Sequence, residues 1–455
     1  MKFFKCLGLL SCITLSSLVA NAQKTITIRE ALDQALRNNL QVKQAMYQSS
    51  LSAEDVLQAK MALFPSLSGQ VQSSKNWGLS FDQTAGSLIS NTSVTSAGAS
   101  LSSSVVLFGG FQKINQISAN KYQLLSNESN IEKVKNDLVL SVVTKYLEAI
   151  TNKDLTTAAQ QQVALSKTQL EAQRANYEVG NKTLADLSQA KSQLATDELS
   201  LTTAQNSYDL SILDLKQLME MNPVTDIVLE KPPLPDVEKL VSTYVAEEVY
   251  QSAVQKYPDI KVAQLNSMVA KKNIDISKGG FYPQLSVGAG YGTNYSSQAA
   301  DNQIIGDQII RTPISFGRQL DRNRNTNIFA QLSIPIFDNY QRNIAVRKAK
   351  ISYESALNDE LLAKNNLNKV VNQAVLDLRT AEKKYYSTEE NFKSATDAFE
   401  VLKQRYDVGL ANAVELSTQQ TAMNKAQFDY IQARYDLIFK SKVIDFYLGK
   451  PITFN

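Results

Sequence analysis

Two hydrophobic periods alternate along this chain. Phe392, Ala395, Phe399, Leu402 and Tyr406 step by three and four, and Leu416, Met423, Ala426, Tyr430, Ala433 and Leu437 continue the seam beyond Gly409. That spacing lays one apolar stripe along a helix, so the runs predict an antiparallel coiled-coil hairpin turned at Gly409. A less regular seam runs through Leu170, Tyr177, Leu187, Ala190, Leu194, Leu201, Ala204 and Tyr208, interrupted by polar Gln173 and Asp197. It predicts a second hairpin turned at Gly180; at both turns glycine makes positive φ inexpensive. Neither Gly nor Pro occurs from Phe111 to Val179, Asn181 to Asn222, Ile336 to Val408 or Leu410 to Leu448. At about 1.5 Å per residue these intervals predict helices of roughly 100 Å and roughly 60 Å.

Ahead of each hairpin the period drops to two. Leu285, Val287, Ala289, Tyr291 and Tyr295 alternate with small or polar residues, as do Ala330, Leu332, Ile334 and Ile336. In the first half Ala97, Ala99, Leu101, Val105 and Leu107 behave alike, and a weaker run spans Leu67 to Val71. Runs of about ten alternating residues suit tilted outer-membrane strands. Trp77, Phe81, Tyr291, Tyr295 and Phe329 are candidates for an interfacial aromatic belt. The polar stretch Ser296 to Asn327, with Arg311, Arg318, Arg322 and Arg324, reads as a solvated exterior loop, lipopolysaccharide phosphates being the alternative partner of its arginines.

The two halves are copies. Ala35 to Pro65 aligns with Ala253 to Pro283 at an offset of 218; from Leu107–Phe108 against Ile336–Phe337 onward the offset is 229. The added eleven residues lie between Pro283 and Phe337, so the second copy has one longer loop. We read 23–222 as the first repeat (strands about 66–108, hairpin about 110–222), 223–235 as a Pro-rich linker, and 236–455 as the second repeat (strands about 283–337, hairpin about 338–448).

Lys2 and Lys5, an apolar stretch from Leu7 to Val19 and Ala20-Asn21-Ala22 form a cleavable secretory signal over 1–22; acylation of Cys12 is the alternative. Removing Lys2 and Lys5 from 47 basic residues leaves 45 against 44 acidic ones, which gives no reason to expect nucleic acid. There is no histidine, and both cysteines precede Ala22. Triads, thiol nucleophiles, thiol pairs and ordinary zinc sites are thereby excluded from the mature chain, so we expect no enzyme and no cofactor. No apolar run is long enough for a membrane-spanning helix, which leaves a β-barrel as the route into a bilayer. With four strands per chain, several chains must share it. An exported coiled-coil scaffold without a pore is the alternative.

The order of helix, strand pair and long hairpin, twice over, with the repeated Tyr-x-Val-Gly-x5-Asp/Glu-Leu signature, resembles the TolC-type outer-membrane efflux family. The resemblance implies a mainly α fold with a β-barrel part. Three copies would form a twelve-stranded barrel continued by a periplasmic helical tunnel. It further implies a passive duct that docks on a periplasmic adaptor and an inner-membrane pump of RND, ABC or MFS type. Tyr177, Val179, Gly180, Tyr406, Val408, Gly409 and Leu410 fall at the adaptor-docking tips, and Glu415 and Asp186 at the pore constriction. On residue chemistry alone, Asp186 and Glu415 equally suit the positive N-terminal ends of the return helices. Thr418 and Gln189 stand where some members carry a second acidic residue, which argues against a second ring.

Overall fold

The computed structural model describes residues 24–89, 93–233, 244–305 and 308–450. The expected signal segment, the last two residues of the expected linker and the chain's end lie outside them.

Each copy is built from matching pieces. Helices α1 (Ile28–Asn38), α2 (Leu40–Met61), α3 (Gln112–Glu178) and α4 (Leu184–Leu218) return as α5 (Ala246–Lys256), α6 (Pro258–Gly279), α8 (Gln341–Asp407) and α9 (Ala413–Tyr447). Partners have equal lengths of 11, 22, 67 and 35 residues. Pro258 stands at the first position of α6 where Leu40 opens α2. A first-turn N–H has no intrahelical acceptor, so proline loses nothing there.

The short helices extend the return arms. Asn39 caps α2 by accepting from the Gln41 and Val42 amides at 2.9 and 3.3 Å, and its amide donates to the Leu218 carbonyl at the end of α4 at 3.3 Å. In the second copy Tyr257, before α6, packs on Tyr447, at the end of α9, with ring centroids 5.9 Å apart. Each 67-residue helix thus runs beside two shorter ones that meet end to end. The core follows these seams. Tyr146, Ile150, Leu215 and Met219 of the first copy pack with Ile438 of α9 in one cluster, and Val371, Leu378, Tyr385, Leu437 and Ile444 of the second copy form another.

Four strands form one antiparallel sheet in the order β10 (Asn325–Ser333), β7 (Gln284–Ser296), β5 (Ser93–Gly109), β2 (Ser66–Trp77). The copies join where β5 pairs with β7. The outer strands β2 and β10 are exposed at every residue and have a free edge each. The expected strand through Ile336 ends at Ser333, two residues before Pro335, which lacks an N–H for a ladder. Strand then becomes helix through two consecutive left-handed residues, Gly110–Phe111 in the first copy and Asn339–Tyr340 in the second. A Cβ on Gly110 would lie 2.1 Å from the Gly279 carbonyl oxygen, so the first copy admits only glycine there.

Three pieces have no counterpart in the periodicity. Strand β1 (Lys24–Ile26) pairs in parallel with β6 (Ile227–Leu229), placing a strand inside the segment read as linker. The Tyr146 hydroxyl lies 2.9 and 2.6 Å from the carbonyls of Ile26 and Glu230 and ties that pair to α3. The exterior stretch holds hairpin β8–β9 (Ala300–Ile305, Gln308–Pro313) and helix α7 (Phe316–Arg322). A smaller hairpin, β3–β4 (Ser80–Asp82, Ser87–Ile89), lies between β2 and β5. Buried Gln319 binds the Ser296 amide and carbonyl, both at 2.9 Å, and Ser296 donates to Asp82, so both loops form one packed unit. Within it Arg322 pairs with Asp301 and Arg324 with Asp321, whereas Arg311 and Arg318 are exposed.

Candidate functional site

The hairpin tips are the same turn built twice. After α3 the Gly180 amide donates to the Tyr177 carbonyl at 3.0 Å and the Asn181 amide to Asn176 at 2.9 Å. After α8 Gly409 donates to Tyr406 at 3.0 Å and Leu410 to Arg405 at 2.7 Å. This nested pair of bonds closes a helix when the residue after the cap is left-handed. Gly180 and Gly409 meet the condition with φ of 77° and 81°.

Each return arm opens with a reciprocal cap. Thr183 Oγ1 accepts from the Asp186 amide at 3.2 Å while Asp186 Oδ2 accepts from the Thr183 amide at 3.0 Å and hydroxyl at 2.7 Å. Asn412 Oδ1 accepts from the Glu415 amide at 2.9 Å, and Glu415 Oε2 from the Asn412 amide at 3.3 Å. The Thr183 hydroxyl and amide hold the Asp186 carboxyl below its ordinary value of 3.8. Both expected constriction residues therefore serve as helix caps. They also line one open groove of about 670 Å³ between the two hairpins, together with Arg405 and Thr418.

The expected tip residues separate into two sets. Val179, Val408 and Leu410 are 71%, 71% and 69% exposed, and Tyr177 is 40% exposed. Tyr406 turns inward: it packs with Phe399 and Leu416 at 5% exposure, beneath the Lys182 ammonium 4.1 Å from its ring centroid. The structure adds Leu184 and Val414, each 61% exposed at the start of a return arm. Their signal in the sequence is an apolar residue within two positions of a capping Thr or Asn, where solvent would favour a polar one. Among the described residues no group of three His, Cys, Asp or Glu could hold a metal ion, and no helix is long and apolar enough to cross a membrane.

Long helical hairpins in duplicate, joined to an open four-stranded sheet, define the protomer of a channel that joins a barrel to a helical tunnel. The chain belongs to the outer membrane efflux protein family, whose model matches residues 31–219 and 249–450. It is similar to the outer membrane efflux protein BepC of Brucella suis, 20% identical over 94% of this chain and 87% of that one. Outer membrane protein TolC of Vibrio cholerae is 21% identical over 90% and 88%. Among solved structures, the Campylobacter jejuni CmeC outer membrane channel superimposes with a TM-score of 0.76 at 16% identity, covering 93% of this chain and 85% of that one. The open state of the Neisseria gonorrhoeae MtrE channel gives 0.71 at 17% identity, covering 93% and 89%. This chain is accordingly an outer-membrane efflux channel protein.

Proposed function

We propose that three copies assemble into a passive duct from periplasm to exterior, a twelve-stranded barrel above a helical tunnel. The tunnel would dock on a periplasmic adaptor and an inner-membrane pump of a tripartite efflux or type I secretion system. The observation that carries this reading is the sheet: four strands with two free, fully exposed edges. An open edge in hydrocarbon leaves backbone donors and acceptors unpaired, whereas an even-numbered closed barrel satisfies them all. Apolar side chains also stay exposed along α2 (Leu40, Tyr47, Leu51) and α8 (Ile351, Leu361, Leu376), surface that neighbouring copies would cover.

Exposed Val179, Leu184, Val408, Leu410 and Val414 give the tips an apolar end suited to an adaptor. Segment 1–22 acts in this reading as the cleaved export signal. One oxygen of Glu415 makes the cap bond, leaving the other for the tunnel axis, where three copies would form a carboxylate ring that favours cations. Purified channel in a planar bilayer tests this. Glu415→Ala should raise resting conductance and weaken block by multivalent cations; unchanged values would remove Glu415 from the pore.

A further inference from the structure

Near the tips the two hairpins meet through hydrogen bonds as well as apolar contact. Ser417 Oγ donates to Gln193 Oε1 at 2.7 Å and accepts from Gln189 Nε2 at 3.1 Å. Gln420 Nε2 donates to Ser166 Oγ at 3.0 Å. Ser166 donates onward to buried Asp197, which also accepts from Gln193 Nε2 at 3.2 Å. Beside this network lies a cavity of about 30 Å³ whose lining includes Gln169, Gln173, Tyr406 and Gln420. Each of these four presents a buried polar atom without a partner: Gln169 Nε2, Gln173 Oε1, the Tyr406 hydroxyl and Gln420 Oε1. Gln173, Tyr406 and Gln420 are 8%, 5% and 1% exposed, and Gln169 is half-buried.

Leaving such groups unpaired costs about 1–3 kcal/mol each, and a polar cavity of at least ~10–15 Å³ admits a water. The chemistry of the lining matches that one molecule. An amide N–H and a phenol O–H donate, two amide oxygens accept, and water accepts two hydrogen bonds while donating two. Gln420 cannot simply flip its amide, because its nitrogen is held by Ser166. A bare cation would face the Gln169 N–H donors, and the carboxylate in the lining, Asp186, already accepts from the Thr183 amide and hydroxyl.

We propose that this cavity binds ordered water, bridging Gln169 and Gln173 of the first hairpin to Tyr406 and Gln420 of the second. The site stands independently of whether the assembled chain conducts. The test is a density map of the detergent-extracted full-length protein, sharp enough to show ordered water. A peak should lie within ~2.7–3.2 Å of at least three of the four atoms. An empty cavity, or side chains turned to pair with one another, would overturn the proposal. So would a peak contacting oxygens only at about 2.3–2.6 Å, the distance of a hard cation. Gln173→Met keeps the length of the side chain and removes one acceptor; the peak should weaken. A peak of full strength in that variant would overturn the bridge through Gln173.

Discussion

At the hairpin tips the backbone, more than side-chain space, restricts what can stand there. A Cβ on Gly409 would meet nothing within 4 Å, so the demand for glycine comes from its φ of 81° alone. A side chain in the left-handed region costs roughly 1–2 kcal/mol, more for a β-branched one. Gly409→Val should therefore abolish efflux complementation while the assembled barrel is still recovered from the outer membrane; loss of the assembly itself would point to a folding role. The caps give a second residue-level test. Thr183→Ala should cost about 1 kcal/mol, read as faster amide exchange in the first turn of α4. Because the folded Asp186 carboxyl is depressed below 3.8, its cap contribution is present above that value and is lost as pH falls through the folded value. The gap between the wild-type and Thr183→Ala exchange rates should narrow in that acid range, the Thr183 Oγ1 bond from the Asp186 amide being the part that persists. Glycine turns and capping acids were legible in the sequence because each is a local backbone requirement. The inward turn of Tyr406 was not, since Tyr177 occupies the equivalent place in the first copy and is exposed.

Among the elements, the long helices and paired strands were readable because many residues repeat one period. The short ones were not. Three residues of β1 and three of β6 are too few to show alternation, and their pairing depends on Tyr146 some 120 residues away from Ile26. Tyr146→Phe keeps the ring in its buried place and removes the hydroxyl, leaving the Ile26 carbonyl only the Glu230 amide at 3.1 Å and untying the β1–β6 pair from α3. We expect destabilisation by about 0.5–1.5 kcal/mol and a lower unfolding temperature, with β1–β6 exchanging first. An unchanged unfolding temperature would show that the β1–β6 pair holds without α3. Gln173 and Asp197 illustrate a different limit. As members of a two-helix seam they read as interruptions, yet both are buried where α3 and α4 meet the second hairpin. A heptad seam reflects one helix–helix partner at a time, so a polar residue serving a third helix looks like a fault. The exterior loop reads as solvated because its residues are polar, and most of its described residues are exposed; Gln319 and Ser296 are buried and bond each other.

For the whole molecule the duplication explains the architecture. Two copies supply two strand pairs and two hairpins of equal length, so the chain builds one sector of a tube instead of a closed domain. The two free sheet edges are what favours a barrel shared between chains. In the function proposed above, three chains close it. The most direct measurement is the protein mass of the detergent-extracted outer-membrane fraction by light scattering, with bound detergent subtracted. A mass near three mature chains is the expected result. A monomer recovered from the soluble periplasmic fraction would contradict it, because β2 and β10 would then keep their edges open and no barrel could form.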